Sequence, residues 1–153
     1  MNRRRHQFVM FLVVLFTLVG CKDSPSLTLA DGQQQTLSDY KGQWLVVNYF
    51  AQWCAPCLRE MPLLNELANQ DAPAVLAVSF DVLSSEKLQQ LSQQYKMTMP
   101  IAAKLSGDWP FDSPRALPTT LLLDPKGKLV ASHQGELHPE DIANWRDKYW
   151  AKR

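Results

Sequence analysis

The chain has few cysteines, three in 153 residues. No apolar run reaches the roughly 20 residues that cross a bilayer as a helix. No basic stripe and no nucleic-acid motif is present, which excludes DNA or RNA binding as the main activity. No repeat of fixed period occurs, which excludes a solenoid. No long low-complexity tract suggests extended disorder. What remains is an ordinary composition, 20% charged and 46% hydrophobic, with length for one domain and a real core.

The N-terminus reads as a targeting segment. Arg3, Arg4 and Arg5 precede Phe8 to Val19, twelve almost purely apolar residues. That is the charged region and apolar core of a signal peptide, expected over 1–20. Without those three arginines, 13 basic residues face 15 acidic ones. Leu18-Val19-Gly20-Cys21 resembles a bacterial lipobox, which implies lipidation of Cys21 and a membrane tether over 21–25. The alternative is an uncleaved signal anchor with an incidental cysteine. Lipidation would account for the odd cysteine and leave one C-x-x-C pair, in a domain large enough to need no structural disulfide.

Residues 26–153 form the expected domain. Ser26 to Ala30 and Gln33 to Leu37 read as a hairpin around Asp31-Gly32. Trp44 to Phe50 is apolar, β-branched and aromatic, as in a central strand. Leu58 to Asn69 reads as a helix kinked by Pro62. Ala74 to Phe80 is a second buried strand. Ser84 caps a helix carrying Leu88, Leu91 and Tyr95 on one face. Pro100 to Ala103 suggests a short strand, and Gly107 to Arg115 irregular chain. Thr119 to Leu123, the turn Asp124 to Gly127 and Lys128 to His133 form a second hairpin. Pro139 opens a last helix with Ile142, Trp145 and Tyr149 as its stripe. Helices alternating with strands imply a sheet covered on both faces.

The chemistry sits in Cys54-Ala55-Pro56-Cys57, where a buried strand passes into a helix. Positions i and i+3 share a helix face, so the two sulfurs can meet. Unpaired N–H groups and the macrodipole at the helix start favour a Cys54 thiolate, the nucleophile of exchange. Cys54 attacks a substrate disulfide, and Cys57 then attacks Cys54 and releases the product. The reverse order oxidises a dithiol. A Cys2His2 metal site with His133 and His138 is the rival. It places the histidines far beyond the usual zinc-finger spacing.

Trp53-Cys54-Ala55-Pro56-Cys57 resembles the W-C-x-x-C signature of thioredoxin-like proteins. Four further stretches resemble the TlpA/ResA-like branch, exported disulfide reductases that include cytochrome c maturation proteins. They are Leu37 to Gly42 with its preceding hairpin, Val47 to Cys54, Arg59-Glu60-Met61-Pro62, and Leu117-Pro118-Thr119-Thr120 with the hairpin that follows. The resemblance covers Ser26 to Trp145. It implies an α/β thioredoxin-like fold, with a central mixed sheet, helices on both faces and an N-terminal β-hairpin.

The resemblance also assigns roles. Pro118 would be a cis-proline beside the disulfide. Leu117 would offer backbone groups to an extended substrate. Asn48 stands near a buried Asp of thioredoxin itself and cannot accept a proton from Cys57. Glu60 is the candidate to assist that transfer; its alternative is a solvated residue in an early helical turn. Trp53 would shield the disulfide and contact substrate, or simply pack. No cofactor beyond the cysteine pair is implied. The expected partners are exported protein thiols or disulfides and a membrane thiol–disulfide electron donor. The expected state is a lipid-anchored monomer at the periplasmic or extracytoplasmic membrane surface. Oxidase or isomerase activity, and a non-catalytic metal-binding role, are the competing functions.

Overall fold

The computed structural model describes residues 25–151. The expected signal peptide, Cys21 and the tether as far as Ser24 lie outside the described residues. The strands are β1 (Ser26–Leu29), β2 (Gln34–Thr36), β3 (Leu45–Phe50), β4 (Ala74–Ser79), β5 (Ile101–Ser106), β6 (Thr119–Leu123) and β7 (Leu129–Gln134). The helices are α1 (Ala55–Arg59), α2 (Met61–Ala68), α3 (Ser85–Tyr95) and α4 (Pro139–Trp145). A 3-10 turn spans Leu37–Tyr40, and a π-helical turn, Arg146–Trp150, continues α4.

The strands form one sheet in the order β2-β1-β5-β4-β3-β6-β7. β3, β4 and β5 are parallel. The two hairpins add antiparallel strands on either side, β1 against β5 and β6 against β3. β3 is buried at every position, because it has a strand on each side and a layer on each face. That explains its unbroken apolar sequence.

The two layers differ. Val46 and Phe50 of β3 point into a cluster with Met61, Leu64 and Leu67 of α2, Leu88 and Leu91 of α3, and Ile142 of α4. Leu45, Val47 and Tyr49 point to the other face, where Leu37, Tyr40, Trp109 and Phe111 cover the sheet. The sheet is thus covered on both faces, but the α-helices expected on both lie on one. β3, β4 and β5 follow one another in the same direction across the sheet, so their connecting helices cross on the same side. The α-helices supply one layer; the 3-10 turn and the irregular 107–115 segment supply the other. There Trp109 donates its indole N–H to the Tyr49 hydroxyl at 2.9 Å and meets Phe111 edge to face.

Two local readings change. The helix expected over Leu58 to Asn69 is two helices, with Glu60 at the joint. Pro62 has no N–H for a carbonyl one turn back, so the ladder stops at α1. The same proline is tolerated in the first turn of α2. The strand expected over Pro100 to Ala103 runs on to Ser106, because β1 pairs along it from Leu29 to Ser26. Sequence periodicity does not show that partner.

Candidate active site

β3 ends at Phe50 and the chain turns into α1 within four residues. Cys54 is the N-cap of α1, with extended backbone. Its sulfur accepts a hydrogen bond from the Cys57 N–H at 3.3 Å. Cys54 and Cys57 are joined in a disulfide, with Cα atoms 5.3 Å apart. Both are buried, Cys54 at 4% exposure and Cys57 at 0%. A sulfur that already accepts a backbone N–H at a helix start is placed to carry negative charge once the bond is reduced.

Glu60 is 2% exposed, which removes the reading of it as a solvated residue. Its Oε1 accepts from the Asn48 side-chain amide at 2.8 Å, and its Oε2 from the Leu137 backbone N–H at 2.6 Å. Asn48 also donates to the Thr120 hydroxyl at 2.9 Å, and its own Oδ1 is buried without a partner. Burial pushes the Glu60 carboxyl up to about 7. The Leu137 and Asn48 hydrogen bonds oppose this, Glu136 adds to it and His138 opposes it. A carboxyl near neutrality, one helical turn beyond Cys57, can hold or accept a proton at the working pH.

The Leu117–Pro118 peptide bond is cis. Pro118 is buried and its carbonyl accepts the Gly135 N–H at 2.9 Å. Gly135 has φ +106°, a conformation that disfavours side chains. Leu117 is half-buried and packs against both apolar clusters. Trp53 is 66% exposed. Its indole N–H donates to Asp81 at 2.8 Å, and the other Asp81 oxygen accepts the Gln52 N–H at 3.1 Å.

Asp81, Thr120 and the Gly135 to Leu137 loop were not singled out by sequence reasoning. Asp81 left one trace, its place just beyond the end of a strand parallel to β3. The loop left none, since Leu137 and Glu60 are 77 residues apart. His133 places its Nε2 3.3 Å from the Glu136 carbonyl. No cluster of three His, Cys, Asp or Glu side chains suited to a metal occurs among the described residues.

A model of the AhpC/TSA family matches residues 22–132. The chain belongs to that family. It is 30% identical over 121 residues to the thioredoxin-like protein YneN of Bacillus subtilis, spanning 76% of this chain and 71% of that one. It is 30% identical over 135 residues to the thiol-disulfide oxidoreductase ResA of Bacillus cereus, spanning 83% and 76%. Among solved structures it is similar to the exposed lipoprotein thioredoxin Etrx1 of Streptococcus pneumoniae. That match has a TM-score of 0.66 and 27% identity, and covers 80% of this chain and 97% of that one. The protein is a thiol–disulfide oxidoreductase with a thioredoxin-like fold. Its substrates are protein thiols or disulfides.

Proposed function

We propose that this oxidoreductase works as a disulfide reductase outside the cytoplasm, tethered to a membrane by lipid on Cys21. The observation that carries this reading is the Cys54–Cys57 disulfide at a helix start, with the buried Glu60 carboxyl one turn beyond. A membrane dithiol donates two electrons and two protons to the pair and becomes a disulfide. Reduced Cys54 then attacks a substrate disulfide as the thiolate, and one substrate sulfur leaves with a proton. Cys57 loses its proton to Glu60, attacks Cys54, and the second substrate sulfur leaves as a thiol. The pair returns to the disulfide, and the substrate has gained two electrons.

Leu117 offers its backbone to an extended substrate segment beside Pro118, and exposed Trp53 covers the approach to the sulfurs. The resemblance to ResA-like reductases implies exported cysteines as substrate, those of an apocytochrome c among them. No helix of the described residues is long and apolar enough to cross a membrane. The leader and Cys21 therefore supply the tether in this reading, with the domain acting as a monomer.

The reduction potential tests the direction. Tryptophan fluorescence in glutathione or dithiothreitol buffers reads the Cys54–Cys57 couple. A value of about −250 mV or lower supports a reductase. A value near about −120 mV means that the protein makes disulfides.

A further inference from the structure

Asn48 and Thr120 face each other across β3 and β6, and both are fully buried. Side chains alternate along a strand, so Asn48 shares the helix-bearing face with Val46 and Phe50, which pack in one cluster with Cys57. Its amide is used unevenly. The nitrogen donates to Glu60 Oε1 at 2.8 Å and to Thr120 Oγ1 at 2.9 Å. The oxygen accepts nothing, and it is the one such buried side-chain atom among the described residues. A buried orphan of this kind costs free energy and asks for a reason.

The reason lies in the partners of the nitrogen. Glu60 Oε1 and Thr120 Oγ1 are both acceptors while Glu60 is ionised. Both can also donate, the hydroxyl at any time and the carboxyl once it holds a proton. Glu60 Oε2 differs, because it faces the Leu137 N–H at 2.6 Å, which can only donate. A proton on Glu60 therefore belongs on Oε1. There it meets the Asn48 nitrogen, donor against donor, unless the amide turns over. Half a turn about the last side-chain bond puts Asn48 Oδ1 between two donors, the Glu60 O–H and the Thr120 O–H. One amide atom is unpaired in either orientation, so the charge on Glu60 decides between them. The carboxylate selects the nitrogen through a charge-assisted bond, and the neutral acid selects the oxygen.

We propose that Asn48 is a positioning residue whose amide turns over, against Thr120, each time Glu60 takes or releases a proton at Oε1. As the proton passes from the Cys57 thiol, the sulfur becomes a thiolate and Glu60 becomes neutral. The amide then matches whichever form Glu60 holds, and a donor fixed at this place would instead keep Glu60 ionised. The charged and titratable groups around Glu60 are Glu136 and His138 of the β7–α4 loop, with Arg59 of α1 paired to Glu136. His133 of β7 and Asp141 of α4 lie behind them. The disulfide does not titrate. This inference deepens the mechanism proposed above and rests on Glu60 accepting the Cys57 proton.

The test is nuclear magnetic resonance on the full isotope-labelled chain in detergent micelles, with the disulfide intact. Well above the Glu60 midpoint, the Asn48 amide hydrogens show cross-relaxation with the Thr120 side chain. Well below it, that signal is lost, and the change has the same midpoint as the Glu60 carboxyl carbon. In Glu60→Gln the Asn48 signal is the same throughout. Equal signals above and below the midpoint in the parent chain overturn the inference. So does a midpoint that follows the His138 ring instead, or a change that survives in Glu60→Gln. Exchange rates separate the two failures. A pH–rate profile unchanged by Glu60→Gln removes Glu60 from proton transfer and this inference with it. A changed profile with a fixed amide overturns this inference alone.

Discussion

Leu137 donates its backbone N–H to the Glu60 carboxylate at 2.6 Å across 77 residues of chain. The bond ties the β7–α4 loop to the joint between the two helices that follow the cysteine motif. The same loop holds Pro118 through Gly135, and its Glu136 carboxylate pairs with Arg59. Three residues in sequence thus brace the cis-proline loop, the candidate proton carrier and the end of α1.

Replacement of Glu60 by Gln is expected to remove an inflection near pH 7 from the exchange rate and to slow exchange about a hundredfold above it. The apparent pKa of Cys57 falls, because a nearby negative charge is gone. Stopped-flow rates from pH 5 to 9 read both effects. An unchanged profile would exclude Glu60 from proton transfer.

The same residue sets a stability trend with pH. Its folded-state pKa of about 7 lies above the ordinary carboxyl value of 4.5. Between these two values the folded protein binds the extra proton, so stability falls as pH rises through this window, by about 3 kcal/mol. Urea denaturation at pH 4.5 and pH 8 measures the difference, and Glu60→Gln abolishes most of it.

Glu136→Gln is expected to shift the Glu60 inflection to lower pH. The Glu136 charge raises the Glu60 pKa, and its removal also leaves the Arg59 cation unpaired nearby. An upward shift would mean that the loop has moved and the Leu137 hydrogen bond is lost. The pH–rate profile of the variant decides between them.

Asn48→Asp would place a second buried carboxyl against Glu60, within the present 2.8 Å contact. Two carboxylates so close cannot both ionise, so the pair keeps a proton well above pH 7. Above that pH the variant is less stable than the parent by about 3 kcal/mol. Equal denaturation midpoints at pH 8.5 would refute this.

Asp81→Ala releases the Trp53 indole and leaves the Gln52 N–H without its acceptor. The expected cost is about 1 kcal/mol. Trp53 anisotropy, taken as the difference from Trp53→Phe, should fall, and reduction of protein disulfides should slow severalfold. Unchanged anisotropy would show that packing alone holds the ring.

Local physics made much of this chain legible. The apolar run Trp44 to Phe50, the Ser84 cap, the Asp124 to Gly127 turn and the Cys54–Cys57 spacing act within a few residues. Each is settled by backbone geometry and hydrogen bonds that neighbouring residues supply. Proline at 62 marked a break in the helix, though not that Glu60 would sit at it. Tertiary structure alone decided that Glu60 is buried, because Asn48 comes from β3 and Leu137 from the far end of the chain. It also decided that Thr120 and Asn48 meet across β3 and β6, and that Trp109 and Phe111 cover the helix-free face. A carboxyl's proton affinity depends on who surrounds it. Those neighbours converge only when distant strands pair, so the sequence determined which residues carry the sulfur chemistry, and the fold determined the environment in which they perform it.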